Sequence, residues 1–308
     1  MSYFLRGAIL SSAAFFLVYV ALSLGVAIAW RVIDQRAESC TASLLFGLRA
    51  LPLSIATFFA AFLVVPSFLY LEPYRTSEVI GVTGLTLAGG GFLTLGFGAV
   101  SVLFAWWETA RFIAHCPRTA SVEVNGSENI AVGIAGTTPI LAVVGIYQPK
   151  LLISEGATGL LEPAEMQAAI RHELAHVGFC DNLKKLILRF TTFPFLAGLD
   201  RSWMQAAEVA ADDAAALNES AAVDLASALL KVAPQSNAGR VPELAMSLAP
   251  NADKALRARV ERLLAWQPRE PRSRRLPVGI VLCAVALLTA TYLPLLQHVH
   301  ELTELLVR

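Results

Sequence analysis

Residues 169–176 have the sequence AIRHELAH, and this stretch decides both the expected chemistry and the fold around it. It contains the pattern H-E-x-x-H within a segment whose apolar residues recur at helical spacing. At 3.6 residues per turn, His172 and His176 project from one face of a helix, one turn apart, so both imidazoles can bind one tetrahedral ion. Glu173 can reach a water molecule beside that ion and act as the general base. The stretch therefore predicts a zinc hydrolase site with Glu173 as its catalytic residue.

The alternative for this motif is a pair of structural histidines on a buried helix face. The chain has 5 histidines in all, and two of them flank a glutamate at this spacing. A chance arrangement of this kind is disfavoured, so we expect the metal site, with Zn²⁺ inferred from the ligand types.

A zinc site needs a third protein ligand and an open position. Glu208 and Asp212 lie one turn apart on a predicted, alanine-rich helix from Ser202 to Leu217. We expect Glu208 to be the third ligand and Asp212 to accept a hydrogen bond from a liganding histidine, which would fix its tautomer. Alone, E-x-x-x-D is typical of a solvated helix face, and Asp213 is an alternative to Asp212. Cys180 is expected to be a small buried residue rather than a ligand.

The composition is that of a membrane protein. Of 308 residues, 56% are hydrophobic and 16% charged, and the mean hydropathy is +0.60. The net charge is zero and Lys and Arg form no long runs, so nucleic acid is not an expected partner. Crossing the hydrocarbon core takes about 20 helical residues. Four apolar stretches meet this length and make the lipid bilayer an expected partner: Ala8–Trp30, Leu51–Leu71, Val79–Trp107 and Leu276–Leu296.

Positive charges in short loops predict the orientation of these spans. Arg31, Arg36 and Arg49 follow the first span, and four arginines between residues 269 and 275 precede the fourth. Both positions should be cytoplasmic, with Arg6 at the outer N-terminus as the one dissenting charge. The predicted organisation is then three spans in residues 1–107, a cytoplasmic metallopeptidase domain in residues 108–275, and a fourth span with a short tail in residues 276–308.

The polar segment between the third and fourth spans is expected to form an α+β domain. Short apolar runs at Ser121–Val124, Ile130–Ile134, Ile140–Ile146 and Lys150–Ile153 predict strands. A helical pattern follows from Glu162 through Phe190, and further helices are predicted at Ser202–Leu217, Ala221–Val232 and Asn251–Trp266.

The predicted strand before the active-site helix has two interpretations. Lys150, Leu151, Leu152 and Ile153 could form an edge strand that binds a protein or peptide substrate by strand addition. The other interpretation is that these residues pack in the core. Asp181, on the expected continuation of the active-site helix, would tie that helix to a loop or a basic residue, or lie in a polar surface pair.

Together these features resemble the BlaR/MecR-type membrane zinc metallopeptidases. The resemblance rests on three early spans, Gly145-x-x-x-Pro149, His172-Glu-Leu-Ala-His176 followed by Asp181-Asn182, Glu208-x-x-x-Asp212, the helix Leu256-Arg-Ala-Arg-Val-Glu-Arg-Leu, and a last span. It implies a gluzincin-like zinc domain on the cytoplasmic side of a bacterial inner membrane. It also implies regulated proteolysis, often of a transcriptional repressor.

The chain departs from that family in one respect: it ends about a dozen residues after the last span, with no penicillin-binding sensor domain. A separate sensor or regulatory protein is therefore an expected partner. HtpX-like membrane metallopeptidases share the H-E-x-x-H and E-x-x-x-D patterns and would imply quality control of membrane proteins. A non-catalytic signalling or scaffold protein with a structural metal site is a further alternative. A transporter, suggested by the glycine-rich third span, is disfavoured because the spans lack the acids and bases of a transport path.

Overall fold

The computed structural model of the chain describes residues 2–33, 40–74, 80–115, 118–124, 127–191, 193–236, 245–247, 253–267 and 292–303. Within these ranges, helices long and apolar enough to cross a membrane cover Tyr3–Val32, Ala42–Leu71 and Val82–His115. The chain is thus a membrane protein with a mainly helical fold and a small sheet. Of the predicted fourth span, residues 276–291 lie outside the described residues, and residues 292–303 are helical.

The three long helices follow from nearly unbroken apolar sequence. Helix α1 covers Tyr3–Ile33, and helix α4, numbered in chain order, covers Val82–His115. Between them the second span is formed by α2 (Ala42–Phe59), a π-helical turn (Ala60–Val64) and α3 (Val65–Leu71). Helices α1 and α4 approach closely: a Cβ added to Gly91 would lie 2.4 Å from the carbonyl oxygen of Ser12. Gly91 therefore allows the close packing of these two helices.

The π-helical turn precedes a proline. Pro66 has no backbone N–H, so the carbonyl of Phe62, four residues earlier, loses its usual helical donor. The hydroxyl of Tyr292 donates to that carbonyl at 2.7 Å. This contact joins the helix of residues 292–303 to the second span and satisfies a backbone group that has no water to bind in a bilayer.

Arg6 and Arg49, whose charges contribute to the predicted orientation of the spans, are both buried in ion pairs. Arg6 is 4% exposed and lies 2.8 Å from Glu72. Arg49 was expected in a loop, but this expectation is wrong because Thr41 caps a helix that begins at Ala42. Arg49 is therefore inside α2 and 1% exposed. The number of charges that indicate the cytoplasmic side is correspondingly smaller.

In the described part of the chain the sheet has five strands, in the order β1-β2-β4-β3-β5. They are β1 (Arg118–Val124), β2 (Ser127–Ile134), β3 (Leu141–Val144), β4 (Lys150–Ser154) and β5 (Ala245–Ser247). Strands β2 and β4 are parallel, and the other neighbours are antiparallel. The predicted strands match β1 to β4, whereas β5 was not predicted.

Among the described residues, six α-helices complete the polar part of the chain. They are α5 (Glu155–Leu160), α6 (Pro163–Gly178), α7 (Asp181–Phe190), α8 (Ala197–Ala215), α9 (Glu219–Ser236) and α10 (Asp253–Leu264). The single helix predicted from Glu162 to Phe190 is wrong in one place. Cys180 adopts a left-handed backbone with φ 56°, which ends α6 and starts α7.

One apolar cluster holds the sheet to the helices of the polar part, and a second attaches that part to the membrane helices. One face of the sheet packs on α6, α9 and α10 through residues that include Leu151, Ala169, Leu229 and Leu263. A second cluster joins α1 and α2 to α7 and α8, and its members are Val26, Ala27, Trp30, Leu45, Leu188, Leu196, Leu199, Trp203 and Ala207. Helix α8 is therefore packed directly against the first two spans.

Candidate metal centre

Helix α6 presents one buried face, and that face carries the motif. A capping box between Glu162 and Glu165 starts the helix, with Pro163 in its first turn. The buried residues recur at helical spacing: Glu165, Ala168, Ala169, His172, Glu173 and His176. The two alanines pack closely against the core, so the larger side chains one turn later project into the space between α6 and α8.

Three side chains converge where a metal ion can bind. One ligand atom each from His172, His176 and Glu208 lies within 4.8 Å of the others, and all three residues are buried. The two Nε2 atoms are 3.2 Å apart. The carboxylate of Glu208 lies 3.5 Å from Nε2 of His172 and 3.8 Å from Nε2 of His176. Tetrahedral ligands around zinc are separated by about 3.4 Å, so the donor set fits such an ion.

The other ring nitrogen of each histidine faces a carboxylate. Nδ1 of His172 lies 3.0 Å from Oδ1 of Asp212, and Nδ1 of His176 lies 2.9 Å from Oδ2 of Asp181. Carboxylates in this position favour the tautomer whose Nε2 lone pair points at the metal. The structure thus brings Asp212 to the place expected from the sequence, and it adds Asp181, which was expected only as a tether or a surface residue.

Arg259 of α10 lies behind the carboxylates of α8. Its Nε and Nη2 donate to the two oxygens of Asp212, each at 2.7 Å. Its Nη1 lies 2.9 Å from Oε2 of Glu208. The sequence pattern included this arginine in an arginine-rich helix without assigning it a role. Its guanidinium compensates the charge of two buried carboxylates in the absence of any ion.

Glu173 is oriented by the backbone of the sheet. The N–H of Val143 donates to Oε2 at 3.0 Å, while Oε1 is buried and has no hydrogen-bond partner in the described part of the chain. Burial raises the pKa of Glu173 to about 8, an effect that His172 reduces and Glu208 increases. One oxygen is therefore fixed and the other is available for a proton.

The charges of the centre are strongly coupled. Burial lowers the pKa of His172, but Asp212 and Glu208 outweigh it and raise that pKa to about 9. Burial also lowers the pKa of His176, and the neighbouring His172 adds to this effect. Burial acts to raise the pKa of Glu208, but Arg259 and both imidazoles hold it below its usual value. In the metal-free group the protonated form of His172 is therefore favoured, and a metal ion that binds its Nε2 would displace that proton.

The expected substrate strand is not an edge of the sheet. Lys150, Leu151, Leu152 and Ile153 form β4, which pairs with β2 on one side and with β3 on the other. Strand addition to β4 is excluded because both of its sides are occupied, so the core-packing interpretation is correct. The strand beside the centre is β3, whose outer side pairs with β5 over Ala142, Val143 and Val144.

Asn182 attaches the edge of β3 to α7. Its Nδ2 donates to the carbonyls of Val143 and Gly145 at 3.2 and 3.0 Å. Oδ1 is buried and has no partner within the described ranges. The two neighbouring residues therefore have different contacts. Asp181 contacts His176 of α6, and Asn182 contacts β3, the strand that holds Glu173.

The remaining candidates lie apart from the centre. Asp213 pairs with Arg262 at 2.6 Å and is 38% exposed, so it does not replace Asp212. Cys180 is exposed, contrary to the buried position expected for it, and it does not belong to the metal-binding group. Comparison of the chain with protein-family models gives no match, and comparison with curated proteins gives none either.

Proposed function

We propose that this chain is a membrane-embedded, zinc-dependent endopeptidase that cleaves a protein substrate on the cytoplasmic side of a bacterial inner membrane. The observation that carries the proposal is Glu173, a buried carboxylate beside a His-His-Glu group with one oxygen fixed and the other without a partner. A structural zinc site does not require a carboxylate such as Glu173 that binds no metal, and it is closed by four protein ligands. The described group has three.

His172, His176 and Glu208 would hold the ion. When bound, it supplies Lewis-acid activation of a water molecule and of a substrate carbonyl. The charge of a bound ion would favour the carboxylate form of Glu173, whose Oε1 would accept the proton from the attacking water as a general base and then donate it to the leaving amine as a general acid. The N–H of Val143 would hold Oε2 during both proton transfers, so the side chain of Glu173 would keep one rotamer.

The substrate is proposed to lie along the outer side of β3. This side faces α6 and α7, next to Glu173, and it already pairs with three residues of the same chain, Ala245–Ser247. An extended peptide that displaces β5 could pair with backbone groups of β3 other than those of Val143, whose N–H and carbonyl are bonded to Glu173 and Asn182. Backbone recognition of this kind selects extended, accessible segments and leaves sequence preference to the side-chain pockets.

The resemblance to BlaR/MecR-type metallopeptidases supports a role in regulated proteolysis, such as cleavage of a repressor in response to a separate sensor. The experiment compares the proteomes of cells that express wild type, Glu173→Gln and Glu219→Gln. The last is a matched control, since Glu219 is an exposed residue of the first turn of α9. The expected result is a polypeptide that accumulates intact only with Glu173→Gln, while purified Glu173→Gln protein still binds Zn²⁺.

The outcomes separate the alternatives. A soluble regulator that accumulates supports signalling, whereas a set of misfolded membrane proteins supports HtpX-like quality control. If wild type binds Zn²⁺ and no polypeptide differs between wild type and Glu173→Gln, the endopeptidase proposal fails and a scaffold with a structural metal remains.

A further inference from the structure

A charged residue inside the second membrane-spanning helix reaches both helices that follow the H-E-x-x-H helix. Nε of Arg49 donates to Oδ1 of Asp200 at 2.7 Å. Its Nη1 donates to Oγ1 of Thr191 at 3.0 Å, and its Nη2 to the carbonyl of Thr191 at 2.7 Å. The hydroxyl of Tyr19, from α1, donates to the same carbonyl at 3.1 Å.

These contacts lie at two helix ends. Thr191 caps the C-terminus of α7, where a cation is favoured by the helix dipole. Asp200 is in the first turn of α8, where an anion is favoured. A single guanidinium therefore joins the end of α7 to the start of α8. Because Arg49 is 1% exposed, its charge depends on these partners and its position is closely defined.

The same two helices hold the residues that complete the metal centre. Helix α7 begins with Asp181, which contacts His176, and α8 carries Glu208 and Asp212. Between Asp200 and Glu208 there are about two helical turns. Within them, Trp203 and Ala207 pack against α1 and α2. One face of α8 therefore contacts the membrane helices, and a neighbouring face supplies the metal ligand.

We propose that Arg49 is a positioning residue through which the first two membrane helices set the place of Glu208 relative to His172 and His176. This inference rests on the metal centre of the proposed function and adds its regulation. A displacement of α2 along or about its axis would move Asp200 and, through the rigid helix α8, the third ligand. Signals that reach the membrane helices would then change the metal centre without contact with the substrate.

The test uses the full chain, purified in detergent, with Zn²⁺ and Co²⁺ as probes. The variants are Arg49→Gln, Arg49→Lys and Asp200→Asn. The control is Arg201→Gln, on the exposed side of the same turn of α8, where Nε donates to the carbonyl of Ala197 within its own helix. Zn²⁺ affinity is measured by competition with a chelator, and the absorption spectrum of bound Co²⁺ reports the ligand geometry. Thermal unfolding of the metal-free protein is measured in parallel.

Arg49→Gln and Asp200→Asn are expected to weaken Zn²⁺ binding about tenfold or more, in the range of other residues that orient metal ligands, and to change the Co²⁺ spectrum. Arg49→Lys retains the contact with Asp200 but not the two with Thr191, so it should restore part of the affinity. Arg201→Gln should match wild type. If Arg49→Gln does not fold, the nearly isosteric Asp200→Asn still gives the test.

A purely structural role would lower the unfolding temperature but leave the affinity and the spectrum of the folded variants unchanged. That result would overturn the inference while the proposed function stands. None of these measurements requires peptide cleavage. If the chain binds Zn²⁺ but cleaves no peptide, the endopeptidase proposal fails, and the variants still test the role of Arg49. A wild type without Zn²⁺ binding would overturn both.

Discussion

His176 and Asp181 contact each other, Nδ1 to Oδ2, across a break between two helices. On an uninterrupted helix, residues five apart lie about 140° from each other around the axis. The left-handed backbone at Cys180 turns the chain so that the first residue of α7 meets the last turn of α6. The orientation of one histidine of the candidate metal centre thus depends on where α6 ends.

Replacing Asp181 with Asn is expected to weaken Zn²⁺ binding about tenfold, because the amide offers His176 no negative charge and a poorer acceptor. Competition with a chelator measures the effect. Asp213→Asn is the matched control, since Asp213 pairs with Arg262 at the surface. Equal affinities for the two variants would show that Asp181 does not orient the ligand.

Glu173→Gln should stabilise the metal-free protein in a manner that depends on pH. The pKa of Glu173 is raised from 4.5 to about 8 by burial. Above pH 4.5 the unfolded chain ionises this group, whereas the folded chain keeps it neutral until about pH 8. Wild type therefore loses stability across this window, and glutamine, which still accepts from Val143, does not.

The difference in the free energy of unfolding should reach the order of a few kcal/mol at pH 8 and then level off. Unfolding temperatures of chelator-treated wild type and Glu173→Gln between pH 5 and 9 test this. Curves that stay parallel over the whole range would contradict a raised pKa at Glu173.

Zn²⁺ should raise the unfolding temperature of wild type, with about 2.7 kcal/mol of added stability at a free concentration of one hundred times Kd. His176→Ala should lose most of this effect. His115→Ala should keep it, because the His115 ring is exposed at the end of α4 and its Nδ1 bonds to the carbonyl of Arg111 within the same helix. A similar response of the two variants would place the ion elsewhere.

Zn²⁺ affinity should increase as the pH rises toward 9. The pKa of His172 is raised to about 9, so below that value binding must displace a proton, and the affinity can change by up to about tenfold per pH unit. Titration in buffers from pH 6 to 9 measures the slope. A constant affinity above pH 7 would indicate that His172 is already neutral there.

Arg259→Met should destabilise the metal-free protein on the order of 3–5 kcal/mol, because the buried carboxylates of Asp212 and Glu208 lose the guanidinium that pairs with both of them. Zn²⁺ should recover part of the loss, since it supplies positive charge to the same group. Arg257→Met, two residues earlier and exposed, should leave the unfolding temperature unchanged. If Arg259→Met leaves the unfolding temperature unchanged, as Arg257→Met should, Arg259 does not stabilise the centre.

The sequence predicted the parts of the site that depend on spacing within one helix. His172, Glu173 and His176 follow from helical periodicity on α6, and Glu208 and Asp212 from the same periodicity on α8. The break at Cys180, the pairing of Asp212 with Arg259 and the burial of Arg49 depend on contacts between residues far apart in the chain. No local pattern encodes them.

The substrate strand shows a different limit. The apolar run Lys150–Ile153 predicts a strand, and the structure has one, but its neighbours decide whether it lies at an edge. Strand β5 has three residues, Ala245–Ser247, which is too short for a period-two pattern to be recognised. The position of β4 within the sheet was therefore not predictable from its own residues.

The cluster that joins α8 to the first two spans has a practical consequence for anyone who isolates the polar part of the chain. A fragment that begins after residue 107 would uncover Leu199 and Trp203, each at most 1% exposed in the intact protein. Such a fragment would expose a large apolar surface to water and would aggregate in the absence of detergent. The polar region and the membrane helices therefore form a single folding unit, and the candidate metal centre is best studied in the full chain.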